Sequence, residues 1–498
     1  MKTNLLVVAA LAWTTGLAAT VLLCLYPRPL AAAGDSDRVT IYPAPAGEPL
    51  SAEYQVSVGG ESVPVYIARV APADEQRRWK AMDDKANSAE FYDTAAFASF
   101  DMRSSATMAV AVIVTVPREV TSARILPSKL GIKPRIQGKS ITFEIAKPCQ
   151  LTIEINGEWV KSLHVFVNPP ETDAPRADDP NVVYFGPGIH ETGHLVVGDN
   201  KTVYVAGGAV VRTIIQPDEK SWISSYSGLK NYAPSIELKG KNIRLRGRGI
   251  IDATGCTTHA RNMVYVNGSD ITLEGVVLRD SSTWTVPIRR SDRVTVRNVK
   301  LLGYRANSDG IDICNSRDVT VEDCFIRTLD DLIVVKSDKG QGAVQRVVGR
   351  RCVLWNQVAH GLSVGAELAD PVDDVLFTDC DIIHDQGREW SLRVYHCDAA
   401  PVTNIRFEDI RIEEARKCIS LWIGKAVWTR DPERGVIRNV LFRNVAAAGK
   451  DLKVELVGAD EAHAVEDVRF ENVTLNGLPL NCGQVQTNAA VRGVTVSP

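Results

Sequence analysis

The sequence predicts an all-β protein, a right-handed parallel β-helix preceded by a small β-sandwich domain. A short pattern with alternating apolar residues recurs from about residue 241, and its lead aliphatic residues lie 28, 23, 25, 28, 28, 30, 35 and 28 residues apart. Self-similarity at such a period is typical of a solenoid. The alternation has period two, which indicates strands rather than helices. Upstream, other alternating runs lack this repeat, which suggests a separate β domain.

The repeat supplies two inward positions on each coil. The lead aliphatics run from Ile243 to Val468, and a second apolar position follows five residues after every lead from Ile271 onward. Cys324, Cys352 and Cys380 occupy this second position at intervals of 28 residues. We therefore expect them to form a buried column of small apolar side chains rather than disulfides. No Cys-x-x-Cys pair occurs, so a structural zinc site is not expected.

The sequence divides into four segments. Residues 1–33 combine Lys2, an apolar run and Ala31-Ala32-Ala33, which is typical of a secretory signal peptide, with an uncleaved membrane anchor as the alternative. Residues 37–167 are predicted to form the β-sandwich, and 168–180, rich in Pro and acids, to form a linker. Residues 181–498 are predicted to form the β-helix. The chain should therefore be secreted or periplasmic, and contact a membrane only if the first segment is retained.

Composition narrows the possible partners. The chain has 498 residues, 45% of them apolar, and a formal net charge of −3. A nucleic-acid-binding protein would show a strongly basic balance, so we expect no such partner. A mildly acidic surface still allows an anionic polysaccharide to bind in a locally basic cleft. We expect a monomer.

Polar residues recur about once per coil and suggest one functional stripe. Asn307-Ser308-Asp309-Gly310 is followed by Asp330-Asp331, then by His360 and Arg393. An Asn can form a simple ladder at a turn, and an Asp pair can end a strand. Their combination, however, suits cleavage of a glycosidic bond, which needs an acid for the leaving oxygen and a carboxylate for water or sugar. Crowded carboxylates also raise one another's pKa, which favours an acid.

These motifs resemble the polygalacturonases, glycoside hydrolase family 28. Asn-Ser-Asp-Gly, Asp-Asp, His-Gly-Leu-Ser-Val-Gly and Arg-x-aromatic are similar to that family's ordered motif set over about residues 181–475. The resemblance implies that Asp330 is the general acid, and that Asp309 and Asp331 hold and deprotonate water, with inversion. It implies that His360 supports the acid. No metal and no other cofactor is implied.

The resemblance also implies a substrate, a pectic polysaccharide or oligosaccharide that contains galacturonate. Asn307 and Arg393 would contact it. Three positions depart from the family pattern: Leu329 and Ala359 replace small or polar residues before the motifs, and Tyr395 replaces a Lys that pairs with the galacturonate carboxylate. Tyr395 could stack on a sugar face. Lys336 is a candidate replacement cation, as are Arg388, Arg289 and Arg290.

Three other functions fit parts of the pattern. Dextranase-like hydrolases of family 49, which act on a neutral glucan, also join a β-sandwich to a β-helix and use three Asp. A calcium-dependent polysaccharide lyase could use the three Asp as ligands. A non-catalytic glycan-binding solenoid would need no chemistry. Endo or exo action would depend on whether loops such as 221–234 and 424–434 close one end of the cleft.

Overall fold

A computed structural model describes residues 38–498 of the chain. The predicted signal or anchor, residues 1–33, lies outside this range. Within the range, no helix has the length and apolar character that a membrane crossing requires. The only α-helix in the described part of the chain is α1, Glu75–Asp83, and three short 3-10 helices cover Ser88–Glu90, Ser128–Leu130 and Cys482–Gln484. Everything else that is regular is β-strand, as predicted.

The N-terminal part is a β-sandwich of two sheets. The six-stranded sheet comprises Val39–Ile41, Val65–Val70, Asp93–Met102, Ala123–Leu126, Cys149–Ile155 and Glu158–Asn168. The five-stranded sheet comprises Gln55–Val58, Glu61–Val63, Val110–Thr115, Arg135–Gln137 and Ser140–Ile145. Alternate residues of both sheets, such as Val112 and Val165, meet in one buried core. This packing confirms the predicted sandwich, and the limits 37–167, 168–180 and 181–498 stay predictions.

The remaining strands wind into a parallel β-helix, because each pairs with its equivalents on the neighbouring coils. The pairings form three stacks. The first contains Val182–Phe185, Thr202–Val205, Ile236–Gly247, Val264–Glu274, Asp292–Arg297, Arg317–Glu322, Val344–Arg350, Val372–Thr378, Pro401–Glu408, Val436–Gly449, Val465–Leu475 and Val491–Ser497. The second contains Gly188–Thr192, Ala209–Thr213, Ile250–Asp252, Val277–Arg279, Lys300–Leu302, Phe325–Arg327, Val353–Asn356, Asp381–Asp385 and Arg411–Ala415.

The third stack borders the candidate site. It contains Leu195–Val197, parts of Ile236–Gly247 and Val264–Glu274, then Val286–Arg289, Ile311–Cys314, Ile333–Ser337, Leu362–Leu368, Leu392–His396, Ile419–Ile423, Val454–Val457 and Val485–Thr487. Leu478–Pro479 pairs back on the last long strand, and Ser221–Ile223 with Lys230–Tyr232 forms a hairpin outside the coils.

The lead aliphatics of the sequence repeat pair in register on every coil. Ile243 pairs with Ile271, and the series continues through successive coils to Val440 with Val468. The residue before each lead has a positive φ, which Asn and Asp adopt most readily among non-glycine residues. Cys324, Cys352 and Cys380 are fully buried free thiols, as predicted.

The sandwich packs against the second stack and reaches the site. Tyr66, Phe97 and Phe166 of the six-stranded sheet share a buried cluster with Phe325 and Trp355. A second cluster joins Ala71, which precedes α1, and Ala81, which lies within α1, to Leu329 and Val358 of the β-helix, and all four residues are buried. We call these four residues the domain anchor. It ties the sandwich to the residue that immediately precedes Asp330.

Candidate active site

One residue from each of five successive coils forms a column at the bend before the third stack. The backbone N–H of the residue that follows Trp284 donates to the carbonyl of Asp309 on the next coil. Equivalent hydrogen bonds connect Asp309 with Asp331, Asp331 with His360, and His360 with Trp390. These bonds, 2.7–3.4 Å long, place the five residues in equivalent positions. We call them the site column: Trp284, Asp309, Asp331, His360 and Trp390.

The three predicted aspartates come together at this column. Asp330 and Asp331 lie in the bend between the strands Phe325–Arg327 and Ile333–Ser337, so neighbouring side chains can share one cleft. One oxygen from each of Asp309, Asp330 and Asp331 lies within 4.8 Å of the others, and all three residues are buried. Three oxygens at this spacing could hold either a metal ion or a water molecule. The charges of the surrounding side chains determine which of the two fits.

Asp330 and Asp331 have pKa values displaced in opposite directions. Burial, followed by the charge of Asp331, raises the pKa of Asp330 to about 7. Burial alone would also raise the pKa of Asp331, but its interactions with His360, and then Lys336, lower it to about 2. Two adjacent carboxyls with divergent pKa values can serve as acid and base at the same pH.

Lys336 supplies the positive charge inside the cluster. Its ammonium lies 3.0 Å from Asp309 Oδ2, 2.8 Å from Asp312 Oδ1 and 3.6 Å from Asp331 Oδ2. Although burial lowers the pKa of a lysine, Asp309 and Asp312 outweigh it and raise the pKa of Lys336 well above its usual range. Burial, followed by the charge of Asp312, raises the pKa of Asp309 well above its usual range. Lys336, predicted as a substrate contact, is thus engaged by the chain's own carboxylates.

His360 connects the aspartates to Arg393. His360 Nδ1 lies 2.6 Å from Asp331 Oδ1, and Arg393 donates to His360 Nε2 at 2.9 Å. Because a guanidinium can only donate, Nε2 accepts and Nδ1 carries the proton toward Asp331. Arg393 also donates to Glu389 at 2.5 Å, and its guanidinium lies 3.9 Å from the centre of the Tyr395 ring. Tyr395 therefore stacks on Arg393 and holds it.

Asn307 joins the aspartates to the surrounding loops. Its amide donates to Asp330 Oδ2 at 3.3 Å and to the Tyr226 hydroxyl at 3.4 Å, and its oxygen lies 3.0 Å from His259 Nε2. Tyr226 belongs to the hairpin turn between Ser221–Ile223 and Lys230–Tyr232, and its ring lies 5.7 Å from that of Trp428. The two loops considered from the sequence therefore contact each other through Tyr226 and Trp428.

All eight residues proposed from the sequence lie in this one network, directly or through one another: Asn307, Asp309, Asp330, Asp331, Lys336, His360, Arg393 and Tyr395. The candidate cation Arg388 instead pairs with Asp83, and Arg289 pairs with Asp338. Asp312 and Glu389 were not foreseen. Asp312 could have been found, because it follows the Asn-Ser-Asp-Gly motif by two residues.

The structure thus places a cluster of buried carboxylates, an imidazole and a guanidinium on one face of a parallel β-helix, and comparison with known proteins gives the family. The family described as "Glycosyl hydrolases family 28" matches residues 201–493. The chain belongs to this family, as its motifs predicted.

Two curated relatives illustrate the similarity. "Exopolygalacturonase clone GBGE184" of Arabidopsis thaliana is 24% identical over 261 residues, which are 49% of this chain and 59% of that protein. "Endo-polygalacturonase" of Pectobacterium carotovorum subsp. carotovorum is 29% identical over 226 residues, 43% of this chain and 52% of that protein. The chain thus spans between half and two thirds of the length of these relatives.

Solved structures support the fold. A hyperthermoactive exopolygalacturonase from Thermotoga maritima aligns with a TM-score of 0.51 at 18% identity, over 64% of this chain and 83% of its own. Dex49A from Penicillium minioluteum aligns with a TM-score of 0.56 at 12% identity, over 92% of this chain and 96% of its own. The second alignment covers most of the chain, so its architecture is shared beyond the β-helix.

Proposed function

We propose that the protein is an exported hydrolase of a galacturonate-containing polysaccharide or oligosaccharide, acting by inverting acid/base catalysis. One observation carries the proposal: in a family 28 chain, Asp331 of the site column and the adjacent Asp330 have pKa values driven apart, Asp330 to about 7 and Asp331 to about 2.

Asp330 is the proposed general acid. With a pKa of about 7 it keeps its proton in weakly acidic solution, and it can give that proton to the leaving glycosidic oxygen. Asn307 donates to one oxygen of Asp330, and the backbone N–H of Asp331 donates to the other at 3.0 Å. These bonds fix the direction of the carboxyl, so Asn307 acts as a positioning residue.

Asp309 and Asp331 are the proposed holders of the attacking water. Asp331 is the more readily ionised and suits the base. Asp309 Oδ1 is buried and has no hydrogen-bond partner among residues 38–498, and a water molecule would satisfy it. In the reaction, water attacks the anomeric carbon, the base takes a water proton, and Asp330 protonates the departing sugar oxygen.

His360 and Arg393 are proposed to serve both the acids and the substrate. His360 holds Asp331 through its Nδ1 proton, and Arg393 holds His360 by donating to Nε2. Tyr395 fills the position of the family's Lys, and we propose that it acts mainly by orienting Arg393. The galacturonate specificity therefore needs a cation other than residue 395.

The alternatives are less well supported. A calcium-dependent lyase would need the three aspartates as ligands, but the Lys336 ammonium already lies among them and would repel a divalent cation. A non-catalytic solenoid gives no reason for two adjacent carboxyls with opposite pKa shifts. The dextranase-like alternative differs from the proposal in its substrate, a neutral glucan, so the substrate is the point to test.

Reducing-sugar release across a panel decides the substrate. The purified chain is incubated with polygalacturonate, methyl-esterified pectin, dextran and xylan, with and without a chelator. We expect release from polygalacturonate that the chelator does not affect, and no rise in absorbance from unsaturated products. Cleavage of dextran without cleavage of polygalacturonate would refute the proposed substrate.

A further inference from the structure

The sandwich domain contributes a charged side chain to the edge of the active site. Lys85 follows α1 and is half-buried. Its ammonium lies 3.6 Å from the centre of the Tyr226 ring. Tyr226 accepts from Asn307, which donates to Asp330. A lysine from the N-terminal domain is therefore linked to the proposed acid by three contacts, through Tyr226 and Asn307.

Lys85 differs from the other cations of the site in its partners. Arg393 is paired with Glu389 and Lys336 with Asp309 and Asp312, so their charges are already balanced. Lys85 forms no ion pair within 4.0 Å with any carboxylate of residues 38–498, and its contact is the face of an aromatic ring. A cation–π contact orients an ammonium and leaves N–H groups for another acceptor.

The segment that carries Lys85 is held firmly against the site. Ala81 lies in the domain anchor with Leu329, Asp83 pairs with Arg388, and Glu75 pairs with Arg416. Asp74 caps the start of α1 by accepting from the Arg77 backbone at 2.8 Å. These contacts limit the movement of Lys85, and they would lower the entropy lost when it binds a ligand.

We propose that Lys85 binds the carboxylate of a uronic acid residue of the substrate beside Asp330, so that the N-terminal domain determines the charge specificity of the site. This inference rests on the proposed function. Half-burial strengthens such an ion pair relative to one in open water. Burial lowers the pKa of Lys85, and Asp330 raises it when that carboxyl is ionised.

Oligogalacturonates with free and with methyl-esterified carboxylates test this role, because esterification removes the charge and little else. The variants are Lys85→Met, Lys85→Arg and, as a matched control, Lys133→Met, which removes an exposed lysine of the same domain. We expect Lys85→Met to raise KM for the free acid about tenfold or more and to leave the methyl ester nearly unaffected. Lys85→Arg should restore most of the preference, and Lys133→Met should match the wild type.

The possible failures are distinguishable. If the wild type prefers the free acid and Lys85→Met keeps the same preference, the role of Lys85 is overturned while the hydrolase remains. Equal losses on both substrates, with the alkaline limb of the pH profile moved upward, would make Lys85 a counter-ion of Asp330 and also overturn it. If the wild type cleaves neither substrate, the proposed function fails and this inference fails with it. Binding of the free acid to Asp330→Asn, with and without Lys85→Met, gives a second readout independent of turnover.

Discussion

Asp309 and Asp331 occupy equivalent positions on successive coils, because the N–H that follows Asp309 donates to the Asp331 carbonyl at 2.7 Å. Strand pairing in the third stack, Ile311 with Ile333, continues from this bond. The spacing of the two carboxylates is thus set by the backbone of the β-helix, and substitutions at the site should change its chemistry more than its shape.

Replacing Asp330 with Asn should lower turnover by several orders of magnitude, since the variant cannot protonate the leaving oxygen. It should also stabilise the protein at pH 8. In the unfolded chain Asp330 has the usual pKa of an aspartate, whereas in the folded protein its pKa is about 7. The free energy of unfolding of the wild type therefore falls as the pH rises from the unfolded pKa to the folded pKa. Asp330→Asn has no carboxyl to ionise at this position, so it does not lose this stability.

Thermal unfolding at pH 4 and pH 8 measures this effect. The difference in Tm between Asp330→Asn and the wild type should be larger at pH 8. Asp318→Asn, a change at an ion pair with Arg346, is the control and should keep wild-type turnover. Wild-type turnover in Asp330→Asn would remove Asp330 from the mechanism.

The pH dependence of kcat/KM should show an alkaline limb near pH 7. The proposed acid works only when protonated, so the rate should fall about tenfold per pH unit above the pKa of Asp330. Lys336→Met should move this limb upward, because the Lys336 charge lowers the pKa of Asp330. Activity that stays level to pH 9 would contradict the assignment.

Tyr395 should be needed for its ring and not for its hydroxyl. Tyr395→Phe keeps the surface on which Arg393 stacks, whereas Tyr395→Ala removes it. A cation–π contact contributes about 0.5–2 kcal/mol, so we expect Ala to lower kcat/KM by roughly 2- to 30-fold. Steady-state kinetics of both variants on polygalacturonate measures this, and equal activity of Ala and Phe would oppose it.

Leu329→Ala should reduce catalysis as well as stability, because Leu329 anchors the sandwich and precedes Asp330 directly. Removing a buried leucine side chain costs about 2–5 kcal/mol. Leu456→Ala, at a fully buried position in a distant coil, is the matched control. Both variants should lower Tm, and only Leu329→Ala should lower kcat. The same kcat loss in both would point to a general effect of destabilisation.

The product's anomeric configuration should be opposite to that of the cleaved bond. One oxygen of each aspartate lies within 4.8 Å of the others, which is shorter than the separation of about 6.5–9.5 Å typical of inverting carboxyl pairs. The expectation of inversion therefore rests on the water that Asp309 and Asp331 are proposed to hold, for which Asp309 Oδ1, unpartnered within the described part of the chain, is the acceptor. Time-resolved proton NMR of the first products tests this directly. A retained configuration would make one of the aspartates a nucleophile and would replace the proposed water.

The β-helix and the clustering of its candidate site residues could be predicted because both follow the coil repeat. Asp309, Asp331 and His360 are separated by one coil each, so their meeting is a consequence of strand pairing. Lys85 and the domain anchor could not be predicted in this way. Their contacts join two domains whose relative placement leaves no periodic trace in the sequence. Leu329 was visible only as a departure from the family motif, and its partner Ala81 shows why an apolar residue fits there.

The unequal coil lengths have a consequence for how such a site can diversify. Asp309 and Asp331 are 22 residues apart in sequence, yet Asp331 and His360 are 29 apart, and both pairs stack at the same bend. The extra residues of the longer coils therefore lie in the loops between strands, and the positions of the column residues do not change. The hairpin that carries Tyr226 and the loop that carries Trp428 are such additions. Selection could thus lengthen, shorten or exchange them to suit new sugars, while the reacting groups stay where the backbone has set them.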